Sequence, residues 1–124
     1  MNLEEKLING NNQIDKLLDS EVNVKIVCII NDLVLLDKKT NYLPSFILKK
    51  GMLSNNEIIY KIKELLNISI NKIKSISFDK YNNYDERYYA ISIDKNDILD
   101  INELYIFNPI NLMGNIDEKK VVSE

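Results

Sequence analysis

Residues Asn55 to Leu66 place Ile58, Ile59, Ile62, Leu65 and Leu66 at helical spacing on one face, the pattern of a helix that buries a single stripe. Ser54 and Glu57 fit the Ser-x-x-Glu capping box, in which a hydroxyl and a carboxylate satisfy amides that a helix start leaves unpaired. A helix with one apolar face needs another layer to bury it, so the segments around it decide the architecture.

Those segments are rich in strand-forming residues. Val24-Lys25-Ile26-Val27-Cys28-Ile29-Ile30 and Leu33-Val34-Leu35-Leu36 flank Asn31-Asp32, a pair that tolerates positive φ, and together they predict a hairpin. Leu43-Pro44 then interrupts pairing, because proline lacks a ladder donor. Phe46-Ile47-Leu48 predicts a further short strand running into Lys49-Lys50-Gly51, with a loop ending at Ser54. Ile73 to Phe78 and Tyr88 to Ile93 predict a second strand pair, joined by the polar Lys80-Tyr81-Asn82-Asn83-Tyr84-Asp85-Glu86 connection. Asp97 to Glu103 and Pro109 to Met113 predict short helical or turn elements, followed by a charged tail from Asp117. At the other end, Leu3, Leu7, Ile14, Leu17 and Leu18 form a broken helical stripe across Asn9-Gly10-Asn11-Asn12, giving a helical arm in two pieces or a frayed one. Hairpin, strand, helix and hairpin in that order predict an α/β chain of the α+β mixed-sheet type, not a doubly wound parallel sheet.

The 124 residues predict one domain. Its expected parts are an arm over residues 1–20, a core over 22–94 and an irregular segment over 95–124. No run approaches the ~18–20 apolar residues needed to span a bilayer, and Met1-Asn2-Leu3-Glu4-Glu5 does not open a secretory signal. A soluble, cytoplasmic chain with no membrane partner is expected. The net charge of −3 and the dispersed lysines predict no binding to duplex nucleic acid. The absence of histidine removes the usual base and the commonest transition-metal ligand, and the single cysteine, Cys28, reads as a buried small hydrophobe. Chemistry in this chain would rest on carboxylates, lysine or tyrosine.

The order of hairpin, Leu43-Pro44, Lys50-Gly51 and helix resembles the Nudix hydrolases over roughly residues 22–94. The family's box runs glycine, five residues, glutamate, seven residues, then Arg-Glu-aliphatic-any-Glu-Glu-any-Gly-aliphatic. Anchored on Leu43-Pro44, its first glycine falls at Phe46 and its first glutamate at Met52. The arginine falls at Tyr60, the next glutamate at Lys61, the paired glutamates at Glu64 and Leu65, and the second glycine at Asn67. Ile62 and Ile68 keep the aliphatic positions, Gly51 matches a loop glycine, and Glu64 alone keeps the polar signature.

The resemblance implies a Nudix-like sandwich with one main helix, and its departures imply binding in place of hydrolysis. In the family, glutamates on one helix face hold Mg²⁺ against a pyrophosphate, where the metal neutralises charge and orients the attacking water. One carboxylate is a poor substitute for three, and a cation at Lys61 would repel a metal by about 4 kcal/mol per unit charge at ~4 Å and an effective dielectric of ~20. No catalytic residue, metal or cofactor is then expected. Lys49, Lys50, Lys61, Arg87 and Tyr88 would contact a nucleoside diphosphate derivative, with the chain acting as a sensor, sequestering protein or regulator. Glu57 is accounted for by the capping box, and Lys61 and Glu64 are spaced for an i, i+3 ion pair.

Two alternatives stay open. An active Mg²⁺-dependent hydrolase would use Glu64 as catalytic residue and metal ligand, with a further carboxylate from Asp79, Asp85 or Glu86. A protein-interaction module or small inhibitor with a vestigial pocket would instead use the tyrosine-rich hairpin to hold a partner. Tyr81, Tyr84, Tyr88 and Tyr89, with Phe107, suit either a stacked base or a protein interface. Strand alternation predicts that one of Tyr88 and Tyr89 faces the core and the other does not.

Overall fold

The computed structural model describes residues 20–76 and 86–123. The predicted arm from Leu3 to Leu18 lies outside these residues, as does most of the connection carrying Asp79, Tyr81, Tyr84 and Asp85. The elements are β1 (Glu21–Val27), β2 (Ile29–Ile30), β3 (Leu33–Asp37), β4 (Ser45–Lys49), α1 (Asn55–Leu66), β5 (Lys72–Ile76), β6 (Glu86–Ser92), β7 (Tyr105–Pro109) and α2 (Ile116–Ser123). Short 3₁₀ turns occupy Lys50–Met52, Lys95–Asp100 and Ile110–Leu112. A four-stranded sheet has the order β4-β1-β6-β5, and a three-stranded sheet the order β2-β3-β7. β1 is antiparallel to β4 and parallel to β6, so the larger sheet is mixed.

The expected turn at Asn31-Asp32 is present, with φ of 51° and 65°, and both positive values match a type I′ connection. The hairpin it closes is shorter than the sequence predicts. Only Ile29 and Ile30 pair with β3, while the run before Cys28 joins the other sheet between β4 and β6. Covering β1 on both faces explains its near-continuous apolar run: it is a central strand rather than half of a ribbon. Cys28 joins the two sheets, is buried, and its carbonyl accepts from Leu35 N at 3.0 Å.

β1 alternation builds two cores. Val22, Val24 and Ile26 pack with Ile58, Ile62 and Leu66 of α1, whereas Val27 packs with Val34, Leu36, Leu43, Tyr88, Met113 and Val121 in a second cluster. α1 has the predicted bounds. The Ser54 hydroxyl accepts from Glu57 N at 3.2 Å, and Asn67 closes the helix in the left-handed region at φ 59°, ψ 39°, a conformation asparagine tolerates. The other half of the capping box is replaced, since Ser54 N donates to the Met52 carbonyl at 3.0 Å. Asn102 takes up the helix's last carbonyls through Leu66 O and Leu65 O, at 3.0 and 3.3 Å.

The C-terminal segment corrects the expectation of an irregular end. Tyr105-Ile106-Phe107 is too short to announce a strand, yet it pairs with Asp37, Leu36 and Leu35 of β3. The expected charged tail from Asp117 forms most of α2, whose buried side chains are Glu118 and Val121. Its single buried apolar residue produces no helical stripe that periodicity could detect. Gly114, just before this helix, approaches the Thr40 carbonyl so closely that a Cβ there would lie 2.5 Å from the oxygen. Among the described residues no helix is long and apolar enough to cross a membrane.

Candidate functional site

With Ile58, Ile62 and Leu66 turned inward, α1 presents Tyr60, Lys61 and Glu64 on its outer side. The Lys61 ammonium lies 3.7 Å from a Glu64 carboxylate oxygen, forming the expected i, i+3 pair. Glu64 also raises the Tyr60 pKa above the ordinary phenol value, first through hydrogen bonding to the phenol and then through its charge. Glu64 therefore sits between a cation and a phenol on the outer side of the helix. With Lys61 and two apolar side chains, Phe46 of β4 and Leu65, it lines a shallow depression of about 280 Å³.

The other residues expected to bind ligand are distributed differently. Lys49 ends β4 opposite Glu21, and Lys50 opens the following turn, its N–H donating to Ser20 O at 2.9 Å. Arg87 pairs across the sheet with Val24, on the α1 side, and its guanidinium donates to Glu86 O at 2.7 Å. Tyr88 lies on the opposite face and is 1% exposed, so it presents no open ring beside Lys61. Tyr89, expected to differ from Tyr88, is buried too, in the α1-side core. Both are enclosed because both faces of the sheet are covered; alternation separates the faces without saying whether the second is solvated.

The second face carries a polar cluster that the sequence reading missed. Lys25 is buried on β1, its ammonium 2.8 Å from Glu118 of α2 and 3.4 Å from Glu86 of β6, and 5.6 Å from the centre of the Tyr88 ring. Tyr88 donates its hydroxyl to Glu86 at 3.3 Å, and the other Glu118 oxygen accepts from Leu43 N at 2.7 Å. The detectable signal was Lys25 itself, a lone charge inside an apolar strand run, which requires a buried partner. Glu118 could not be nominated as that partner from local spacing.

Burial pulls the Lys25 pKa down, but the hydrogen bond and charge of Glu118, with Tyr88 and Glu86, outweigh it and leave the value raised. Burial pushes Tyr88 up to about 12 and Cys28 up to about 11. Each group binds its proton more tightly folded than unfolded, so the unfolded chain releases protons first as the pH rises. Their contribution is complete below about pH 9 and is lost through about pH 11 to 12. Urea midpoints should fall steeply across that window; a flat profile would contradict these assignments.

In sequence the chain matches no family profile and no curated protein. In structure it is similar to a protein from Chromobacterium violaceum described as a nudix hydrolase family member, with a TM-score of 0.58 and 16% identity over 85% of this chain and 75% of that one. The chain has a Nudix-like fold. A UDP-X diphosphatase is also similar, with a TM-score of 0.51 and 12% identity over 93% of this chain and 69% of that one. Identities this low establish the Nudix-like architecture, not the roles of residues.

Among the described residues no three His, Cys, Asp or Glu side chains come together as a metal-binding group. On α1, the carboxylate that the resemblance retains is already engaged by a lysine and a tyrosine.

Proposed function

We propose that this Nudix-like protein binds an anionic ligand of the nucleoside diphosphate class without hydrolysing it, with Lys61 as the cation that meets the phosphates. The observation that carries this reading is the engagement of Glu64 by Lys61 and Tyr60, the residues aligned with the Nudix glutamate and arginine. An ammonium beside this carboxylate repels Mg²⁺, and at the rim of an open depression it can pair with phosphate. The similarity to a UDP-X diphosphatase makes nucleoside diphosphate derivatives the first probes.

The test is a thermal-shift titration of such derivatives with and without Mg²⁺. A ligand at 100 times its dissociation constant stabilises by about 2.7 kcal/mol. The expected result is a shift that does not need Mg²⁺ and disappears in Lys61→Ala. Mg²⁺-dependent phosphate release abolished by Glu64→Gln would establish the hydrolase instead, and no shift with any derivative would reject the ligand class.

A further inference from the structure

We propose that Glu118 is an internal ligand: its carboxylate occupies an anion seat built by Lys25 and Leu43, α2 is a strap held shut by that contact, and a small carboxylate competes for the seat when the strap lifts. This inference is independent of ligand binding at Lys61, which lies on α1 across the other face of the sheet.

The seat is made by parts of the fold other than the strap. Its ammonium comes from the central strand β1, and its N–H from Leu43, ahead of β4. The Pro44 carbonyl accepts from Ile26 N at 2.9 Å, tying the Leu43-Pro44 segment to the strand that carries Lys25. Glu86 and the Tyr88 ring hold the ammonium from the β6 side, so it keeps partners when Glu118 departs. Each oxygen of Glu118 meets one donor, at 2.7 and 2.8 Å, the arrangement expected for a bound carboxylate.

The strap's apolar anchors are small. α2 is eight residues long; beside Glu118 it buries Val121 and packs Val122 partly against the same cluster, while Ile116 at its start is 72% exposed. A helix this short is unstable by itself, so docking must sustain it. Its root is better secured: Met113 is buried, Gly114 N donates to Asn41 O at 2.9 Å, and the Asn115 side chain accepts from Asp117 N and Glu118 N. Opening therefore hinges near Asn115 and leaves the preceding segment in place.

Formate is the probe, with chloride at equal ionic strength as control. Glu118→Ala leaves the seat empty, and its melting temperature should rise saturably with formate but not with chloride. Formate should add nothing beyond the chloride effect in Glu118→Ala combined with Lys25→Met. In the wild-type protein, α2 amides should exchange on the order of tenfold or more faster than those of β1, the mark of local opening, and formate should accelerate them further. This second measurement needs no variant and stands if Glu118→Ala fails to fold. Equal effects of formate and chloride on the wild-type exchange would overturn the proposal, as would α2 protection matching that of the sheet.

Discussion

Lys25→Met is expected to destabilise the protein by about 3–5 kcal/mol, because removing one partner of a buried ion pair leaves the other uncompensated. Glu118 would keep only its Leu43 N–H contact, and Glu86 would lose its nearby cation. Burying a carboxylate under those conditions carries a large desolvation cost. Methionine roughly preserves the length and apolar stem of lysine, so the loss reports the charge more than the packing. The double variant Lys25→Met with Glu118→Leu should recover most of the loss, since replacing both charges with apolar groups is often neutral. Urea unfolding of the three proteins at neutral pH checks this. A single-variant loss under about 1 kcal/mol would show that Glu118 reaches water without disturbing the fold.

Ile62→Ala should cost about 2–5 kcal/mol, the range for truncating a large aliphatic residue in a closed core. Ile62 is fully enclosed between α1 and the four-stranded sheet, in the cluster with Val24 and Ile26. Lys61→Ala, one position along the helix, should change stability by no more than about 0.5 kcal/mol, as exposed positions usually do. The contrast separates the face that holds the protein together from the face proposed to bind ligand. Similar losses at the two positions would mean that α1 is turned differently on the sheet.

Part of the candidate site was legible because it lies within one helix. Three and four residues along α1 bring Lys61 and Tyr60 to Glu64, and such spacing is a property of any helix. The Nudix-like order of elements was legible too, through Leu43-Pro44, the loop at Gly51 and the capped helix that follows. The Lys25 cluster was not, since Leu43 and Glu118 are 75 residues apart and no local period connects them. Tyr88 was read as an aromatic face for a stacked base or a partner, but the covering of the second sheet face encloses it and its hydroxyl donates to Glu86.

Local chemistry alone determined where α1 starts and stops, the two-residue turn at Asn31-Asp32, and the pairing of β5 with β6. In each case the signal, whether a cap, a turn conformation or a short apolar alternation, lies within a few neighbouring residues. Tertiary structure decided that the apolar run through Cys28 divides between two sheets, that Tyr105–Pro109 becomes a strand against β3, and that the charged C-terminal segment becomes a helix over Lys25. Those outcomes depend on which distant surfaces meet and which faces they close to water, and that long-range burial leaves no period in the chain itself.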